Sequence, residues 1–256
     1  MLIQAAGAVA VLLSTLALGK SMGPAVQGVF SNVKSEVEFL SAFAMLVGNG
    51  GAPRASIFMG KGKYEDAEKI LNNCFTLQLI ISVVLTGILL LFNRTLLMAF
   101  GASENTVEYG VAYMNIYALG TIFVQLTLGM NAFITAQGFA KTGMLSVMIG
   151  AAANIILDPI LIFGLAFFPK MGISGAAIAT GVGQLISLAV YLAFYFRGPV
   201  PVKLEARYKI PGGNTMKKLY GIGIPAILNL ALPSVMIFVL NGLLAQYSRS
   251  YVVILG

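Results

Sequence analysis

The sequence contains no histidine, no tryptophan and a single cysteine, Cys74, among its 256 residues. A lone cysteine excludes a disulfide framework within the chain. Because histidine and clustered cysteines are the usual zinc ligands, their scarcity argues against a zinc site. The lack of histidine also excludes catalysis by a histidine base, and we predict that the protein is not an enzyme.

Charged residues are scarce as well, at 10% of the chain, whereas a soluble domain of ordinary composition has about 25%. Hydrophobic residues make up 58%, and the mean hydropathy is +0.90. The apolar runs are long, which favours membrane-spanning helices over the short alternating strands of a barrel. The composition therefore predicts an all-α integral membrane protein that crosses the cell (inner) membrane several times.

The net charge of +7 is compatible with a nucleic-acid partner, but the basic residues fall between the apolar runs. The excess of Lys and Arg in cytoplasmic loops of membrane proteins explains this placement better. Loops 60–73, 137–142 and 197–219 hold ten of the 16 basic residues, and we expect them to face the cytoplasm. No nucleic-acid partner is predicted, and the lipid bilayer is the expected surrounding.

Windows of about 20 apolar residues predict a polytopic bundle of about seven transmembrane helices. The first window, Leu2–Gly19, has the composition of a signal peptide, but it lacks a basic start and is long for one, so we favour a helix. The run Tyr251–Gly256 is too short to span a bilayer, and we infer that the chain is incomplete at this end. The predicted spans are 2–19, 38–59, 74–92, 108–134, 144–168, 173–196 and 220–245.

The longest predicted loop divides the chain into two unequal parts. It is rich in proline and glycine, which mark loops and turns. We therefore predict an N-terminal transmembrane lobe over residues 1–197, with an atypical first helix, and a cytoplasmic linker over residues 198–219. Residues 220–256 would begin a second transmembrane lobe that is truncated.

Asp158 is the most informative residue, because it is the only charged side chain in the apolar stretch Gly143–Phe168. A charged side chain at membrane depth costs roughly 2.5–3.5 kcal/mol on insertion scales, so such residues are functional by default. Asn154 lies four residues earlier, on the same helix face. Pro159 removes a backbone donor and frees the carbonyl of Ile155. Carboxylate, amide and loosened backbone together predict a cradle for a proton or a small cation.

Polar side chains recur at four-residue spacing on two other predicted spans. Tyr113 and Tyr117 either pack at the interface or face a substrate cavity, where aromatic rings attract organic cations. Asn131 is ambiguous in the same way, between a contact with a neighbouring helix and a cavity wall. Thr180 and Gln184 form a polar stripe on the sixth span, for which both interpretations also stay open.

The sixth span also carries small residues at the spacing that brings helices close together. Ala177 and Gly181 form one such pair, and Ala179 and Gly183 form another. In lipid, close approach of backbones at small residues takes the place of a hydrophobic drive between helices. The spacing therefore predicts tight packing of this span against a neighbour.

Several segments resemble a known transporter family when read together. Residues 154–164, NIILDPILIFG, and 171–180, MGISGAAIAT, resemble the fifth and sixth helices of multidrug and toxic compound extrusion (MATE) transporters. Residues 48–70 resemble their second helix and the loop after it, and residues 101–120 resemble the start of their fourth helix. The resemblance runs from about residue 38 to the C-terminus.

This resemblance implies half of a two-lobe, twelve-helix transporter. It implies a secondary antiporter that exports small organic, often cationic compounds in exchange for Na⁺ or H⁺, with no other cofactor and no required protein partner. The coupling ion, including a Na⁺ at Asp158, would be held by residues resembling the family's set, namely Asn154, Asp158 and Thr180. The family's carboxylate on helix one has no counterpart, because residues 1–37 contain no aspartate.

Three alternatives remain open from the sequence. A lipid-linked oligosaccharide flippase of the same superfamily would need basic side chains in its cavity, yet only Arg54 lies within a predicted span. A membrane enzyme would need a second carboxylate to pair with Asp158, but the other eight acids fall in loops or near span ends. A membrane fragment that inserts without transporting is the third.

Overall fold

The computed structural model describes residues 12–21, 23–100, 102, 104, 106–165 and 167–204, with isolated positions between 221 and 240. Within these residues the regular structure is helical, and helices α3 to α6 are each long and apolar enough to cross a bilayer. The predicted all-α membrane bundle is confirmed. The helices are α1 (12–21), α2 (Pro24–Gly60), α3 (Tyr64–Ala99), α4 (Val107–Ala136), α5 (Ala140–Phe163) and α6 (Ile173–Arg197).

Helix α4 lies at the centre of the bundle. It packs against α2, α3, α5 and α6, while α5 makes its main contact with α6. More of the apolar surface of α4 is buried than that of the other three candidate spans, because those helices turn one face outward. A helix that is hydrophobic all round belongs in such a central position.

Two apolar clusters fill the bundle, one toward each end. The cluster at the predicted outer end joins Leu18, Leu89 and Val107 with the start of α6. The cluster at the predicted cytoplasmic end joins Leu71 and Phe133 with the end of α6. Between the two clusters lie buried polar side chains, Gln78 and Gln125 among them.

The predicted loop 60–73 is wrong, since α3 already begins at Tyr64 and only 61–63 connect it to α2. The charges that indicated a loop belong instead to the first turns of a helix that extends beyond its apolar part. Glu65 favours a helix N-terminus and forms an ion pair with Lys69 at 3.1 Å. The predicted span 74–92 is therefore only the middle of a helix that ends at Ala99.

The predicted span 144–168 ends too late. Helix α5 stops at Phe163 because Gly164 adopts a left-handed conformation, with φ 73° and ψ 51°, which glycine accepts most readily. The turn that follows is tied back to α5. Met171 donates its backbone N–H to Leu161 at 3.0 Å, and Gly172 donates to Ile162 at 3.3 Å.

The other boundaries agree more closely with expectation. The spans predicted over 108–134 and 173–196 match α4 and α6 within two residues at each end, and the span 38–59 lies within α2. Only residues 12–19 of the first span, and isolated positions of the span 220–245, are within the described residues. The division into two lobes and a linker stays a prediction.

The first part of the predicted linker is anchored to the bundle as a strap, residues 198–204. Val202 is 1% exposed and packs in the cytoplasmic-end cluster. Its backbone N–H donates to Oε1 of Gln137 at 3.1 Å. Asn72 of α3 donates to the carbonyl of Lys203 at 3.0 Å. Residues 198–204 therefore lie across the end of α4 and the start of α3.

Val202→Asp is expected to release this strap, because it places an unpaired carboxylate in an apolar site and loses about 1.5–3 kcal/mol of valine burial. Cleavage of the native chain by trypsin after Lys203 should then rise roughly 10- to 100-fold. Pro201→Ser, at the exposed neighbouring position, is the matched control and should stay protected. Equal cleavage of the two variants would contradict the anchoring.

Candidate functional site

Asp158 lies on α5 and is 1% exposed. The hydroxyl of Ser14, on α1, donates to its Oδ2 atom. The amide nitrogen of Asn154, one turn earlier on α5, donates to its Oδ1 atom at 3.3 Å. Donors of this kind replace the hydration that a buried carboxylate loses. The structure therefore brings together Asn154 and Asp158, and α1 adds a partner from outside their helix.

Thr180 on α6 extends this arrangement across the bundle. The amide nitrogen of Asn154 lies 3.4 Å from its Oγ1 atom, and the Thr180 hydroxyl donates to the carbonyl of Ala176 at 3.0 Å. The Thr180 side chain is also a hydrogen-bond partner of the Tyr113 phenol on α4. Four helices thus meet in one polar group, the Asp158 cluster: Ser14, Tyr113, Asn154, Asp158 and Thr180.

A cavity of about 290 Å³ adjoins the Asp158 cluster. Ser14, Asn154 and Thr180 line it, whereas Asp158 lies behind these partners. Tyr113 and Tyr117 also line it, and their rings are stacked, with centroids 5.9 Å apart and an interplanar angle of 18°. Both tyrosines are buried, so they lie in a wall of the cavity.

Of the two remaining residues predicted to line a cavity, Gln184 does so and Asn131 does not. Gln184 lines the cavity, and its backbone carbonyl accepts a hydrogen bond from Thr127 at 3.3 Å. Asn131 lies outside this lining. Its amide oxygen faces Gly143, where an added Cβ would lie 2.5 Å from it. Asn131 therefore sits where α4 meets the start of α5, one turn beyond the end of the cavity.

Gly150 and Gly183 bring α5 and α6 together along the cavity wall. A Cβ added at Gly183 would lie 2.7 Å from the carbonyl oxygen of Gly150, and one added at Gly150 would lie 2.5 Å from the carbonyl oxygen of Gly183. Neither helix has room for a side chain at this crossing. The close packing that small residues on α6 predicted is observed here, and it sets the distance between Asn154 and Thr180.

The atoms of the Asp158 cluster suit a proton or a hard cation. Carboxylate, hydroxyl and amide oxygens are the ligands that hard cations prefer. Within the described residues, no group of three or more His, Cys, Asp or Glu side chains could hold a metal ion. A cation here would therefore depend on mixed ligands, with the Ser14 hydroxyl and the Asn154 amide turning oxygens toward it.

Two buried polar residues near the site were missed from the sequence. Ser14 lies in the atypical first span, and no spacing in that segment connects it with Asp158. Glu36 was placed near a span end because the second span was predicted to begin at residue 38; this was wrong. It lies inside α2 and is 1% exposed. Pro24 was the sequence feature that could have revealed the early start of this helix. Proline is favoured in the first turn of a helix, and α2 begins there.

Comparison with known proteins agrees with this architecture. Residues 2–160 match the MatE family. Multidrug export protein MepA of Staphylococcus haemolyticus is 30% identical over 210 residues, which are 82% of this chain and 46% of that protein. Probable multidrug resistance protein YoeA of Bacillus subtilis is 25% identical over 226 residues, 87% of this chain and 49% of that protein. The chain thus spans about half the length of the curated relatives it matches.

A solved structure shows the same arrangement of helices. The MATE multidrug transporter DinF-BH superposes with a TM-score of 0.90 at 26% identity, covering 100% of this chain and 57% of that one. The family match covers more than half of the sequence, and the fold is that of the family. The chain therefore belongs to the MatE family, whose members are membrane transporters and not enzymes.

Proposed function

We propose that this chain forms the ion-binding lobe of a secondary antiporter that exports organic, mainly cationic compounds in exchange for Na⁺ or H⁺. The observation that carries the proposal is a buried carboxylate, Asp158, whose partners Ser14 and Asn154 also line a cavity. The relatives that match are named as multidrug exporters, but the chain spans about half of their length.

Two residues belong both to the ion site and to the cavity, so binding of the ion and binding of the substrate would influence each other. Ser14 and Asn154 hold Asp158 on one side and face the cavity on the other, so a ligand in either place changes their hydrogen bonds. A ligand shifts a conformational equilibrium only by its difference in affinity for the two states. An ion at Asp158 and an organic molecule in the cavity would therefore compete through these two side chains.

The cavity walls favour a flat organic cation. Tyr113 and Tyr117 present stacked rings, and a cation over such a ring gains about 0.5–2 kcal/mol. Pockets for drug-sized ligands measure about 300–1,000 Å³, so a cavity of about 290 Å³ accommodates a small cation or part of a larger one.

The flippase alternative finds little support in the cavity. Among the described residues that line it there is no lysine or arginine, and Arg54 belongs to the cytoplasmic half of α2. A pyrophosphate group would therefore meet aromatic, hydroxyl and amide groups without a cation to neutralise it. The chemistry of these walls favours a positively charged substrate.

Binding of ethidium to the chain in lipid nanodiscs tests the proposal. Raising the Na⁺ concentration or lowering the pH should weaken ethidium binding by roughly 5- to 150-fold, the usual range of coupling between two sites. Linkage requires ethidium to weaken binding of the ion by the same factor. An ethidium affinity that changes with neither Na⁺ concentration nor pH would contradict coupling. Competition between pyrophosphate and ethidium would instead favour the flippase. A chain that binds no ethidium would support the fragment alternative.

A further inference from the structure

Glu36 on α2 is a second buried carboxyl group in the bundle, and the proposed function leaves it unused. It is 1% exposed, and neither of its carboxylate oxygens has a hydrogen-bond partner among the described residues. Burying an ionised carboxylate without a partner costs several kcal/mol. The surroundings of Glu36 therefore accept the neutral, protonated acid.

The position of Glu36 connects it with the cavity. Val33 and Val37, its neighbours along one side of α2, both line the cavity. Tyr117, on the facing helix α4, is close enough to interact with Glu36 electrostatically, and its ring lines the cavity as well. Glu36 thus lies behind the cavity wall on α2, as Asp158 does on α5.

The surroundings of Glu36 favour a proton over a metal ion. A hard cation takes several oxygen ligands, and Asp158 has the Ser14 hydroxyl and the Asn154 amide bonded to it. The structure places the Tyr117 phenol within electrostatic reach of Glu36, and its helix neighbours Val33 and Val37 belong to an apolar cluster with side chains of α1, α3 and α4. Besides Glu36, α2 carries Lys34, Glu38 and Arg54, and the facing helix α4 carries Glu108, Tyr109, Tyr113 and Tyr117. Helix α1 ends with the exposed Lys20, and α3 has no titratable residue between Cys74 and Arg94.

We propose that Glu36 is a second proton-binding site of this lobe and exchanges its proton with the cavity past Tyr117. The acid gives its proton to a water that enters from the cavity. This water passes a proton to the Tyr117 hydroxyl as that hydroxyl releases its own to a second cavity water, and the carboxylate later takes a proton back by the reverse path. Nothing is oxidised or reduced in this step. The use of this proton in transport rests on the proposed antiport, whereas its binding does not.

Infrared difference spectroscopy of the 256-residue chain in lipid nanodiscs, recorded as the pH is stepped, tests the site without any transport measurement. We expect two signals from buried protonated carboxyl groups. Glu36→Gln should remove one of them, and Asp158→Asn should remove the other. The matched control Glu38→Gln removes an exposed carboxylate two residues away and should leave both signals in place.

Two further results decide the proposal. Tyr117→Phe should retain the Glu36 signal but slow its shift after transfer into deuterated water, because the relay hydroxyl is lost. The idea is overturned if Glu36→Gln leaves both signals unchanged, or if Na⁺ rather than pH removes the Glu36 signal.

Thermal unfolding of Glu36→Gln should match that of the parent chain, because the amide replaces a neutral acid. A large loss of stability would show that the ionised form is required. A failure of the proposed antiport would leave all of these results standing.

Discussion

Asp158→Asn is expected to abolish the effect of Na⁺ and pH on organic-cation binding while leaving the binding itself in place. The asparagine amide keeps the volume and still accepts a hydrogen bond from Ser14, but it neither takes up a proton nor neutralises a cation. The factor by which the ion weakens ethidium binding should fall from roughly 5–150 to about one. Ethidium titrations of the variant in nanodiscs, at two Na⁺ concentrations and two pH values, measure this factor.

A pair of asparagine variants provides the matched control for this result. Asn154→Ala removes a donor to Asp158 and a cavity wall, so the ion effect should shrink. Asn131→Ala removes an amide of the same size outside the cavity lining, and the ion effect should persist. If Asp158→Asn retained the full ion effect, the coupling site would lie elsewhere in the protein.

Gly183→Ala is expected to destabilise the bundle and to impair binding in the cavity. The added Cβ would lie 2.7 Å from the carbonyl oxygen of Gly150 and 3.3 Å from the Cβ of Asn154. Backbone cannot move aside as a flexible side chain does, so α5 and α6 must separate. Overpacking of this kind costs about 1–3 kcal/mol, and the separation moves Asn154 away from Thr180. A lower Tm and weaker ethidium binding should appear together.

Gly181→Ala gives the opposite expectation on the same helix. A Cβ at Gly181 meets no atom within 4 Å among the described surroundings. Replacing a helical glycine with alanine there should stabilise the bundle by about 0.5–1 kcal/mol, because the unfolded chain loses freedom. Two substitutions of identical chemistry, two residues apart, should therefore change the Tm in opposite directions. A shift of the same sign in both would contradict the packing described for Gly183.

The two site residues that position and spacing alone predicted, Asp158 and Asn154, lie within one helix, whereas Thr180 on α6 came from the family resemblance and the role of the α4 tyrosines stayed open. Asp158 is conspicuous because a charge in an apolar stretch is costly, and Asn154 follows from the four-residue helical repeat. Ser14 could not be found in this way, because it approaches Asp158 from a helix 144 residues away in sequence. Only the packing of α1 against α5 brings the two side chains together.

The errors in the fold have a common physical origin. Hydropathy finds the part of a helix that matches the apolar layer, whereas the helix itself ends where its backbone is interrupted. At its predicted cytoplasmic end, α3 extends beyond the apolar layer to Tyr64 as a charged helix. Helix α2 begins as early as Pro24, so Glu36 lies well inside it. Conversely, α5 stops at Gly164 although the sequence stays apolar to Phe168.

The turn after Gly164 couples the end of α5 to the start of α6. The carbonyls of Leu161 and Ile162, just beyond the proline, accept hydrogen bonds from Met171 and Gly172, and a Cβ added at Gly175 would lie 2.7 Å from the Leu161 carbonyl. The last residues of α5 and the first turn of α6 are consequently joined as one unit close to Asp158. Because Asp158 lies one turn before Leu161, a displacement of this part of α5 would reach α6 directly.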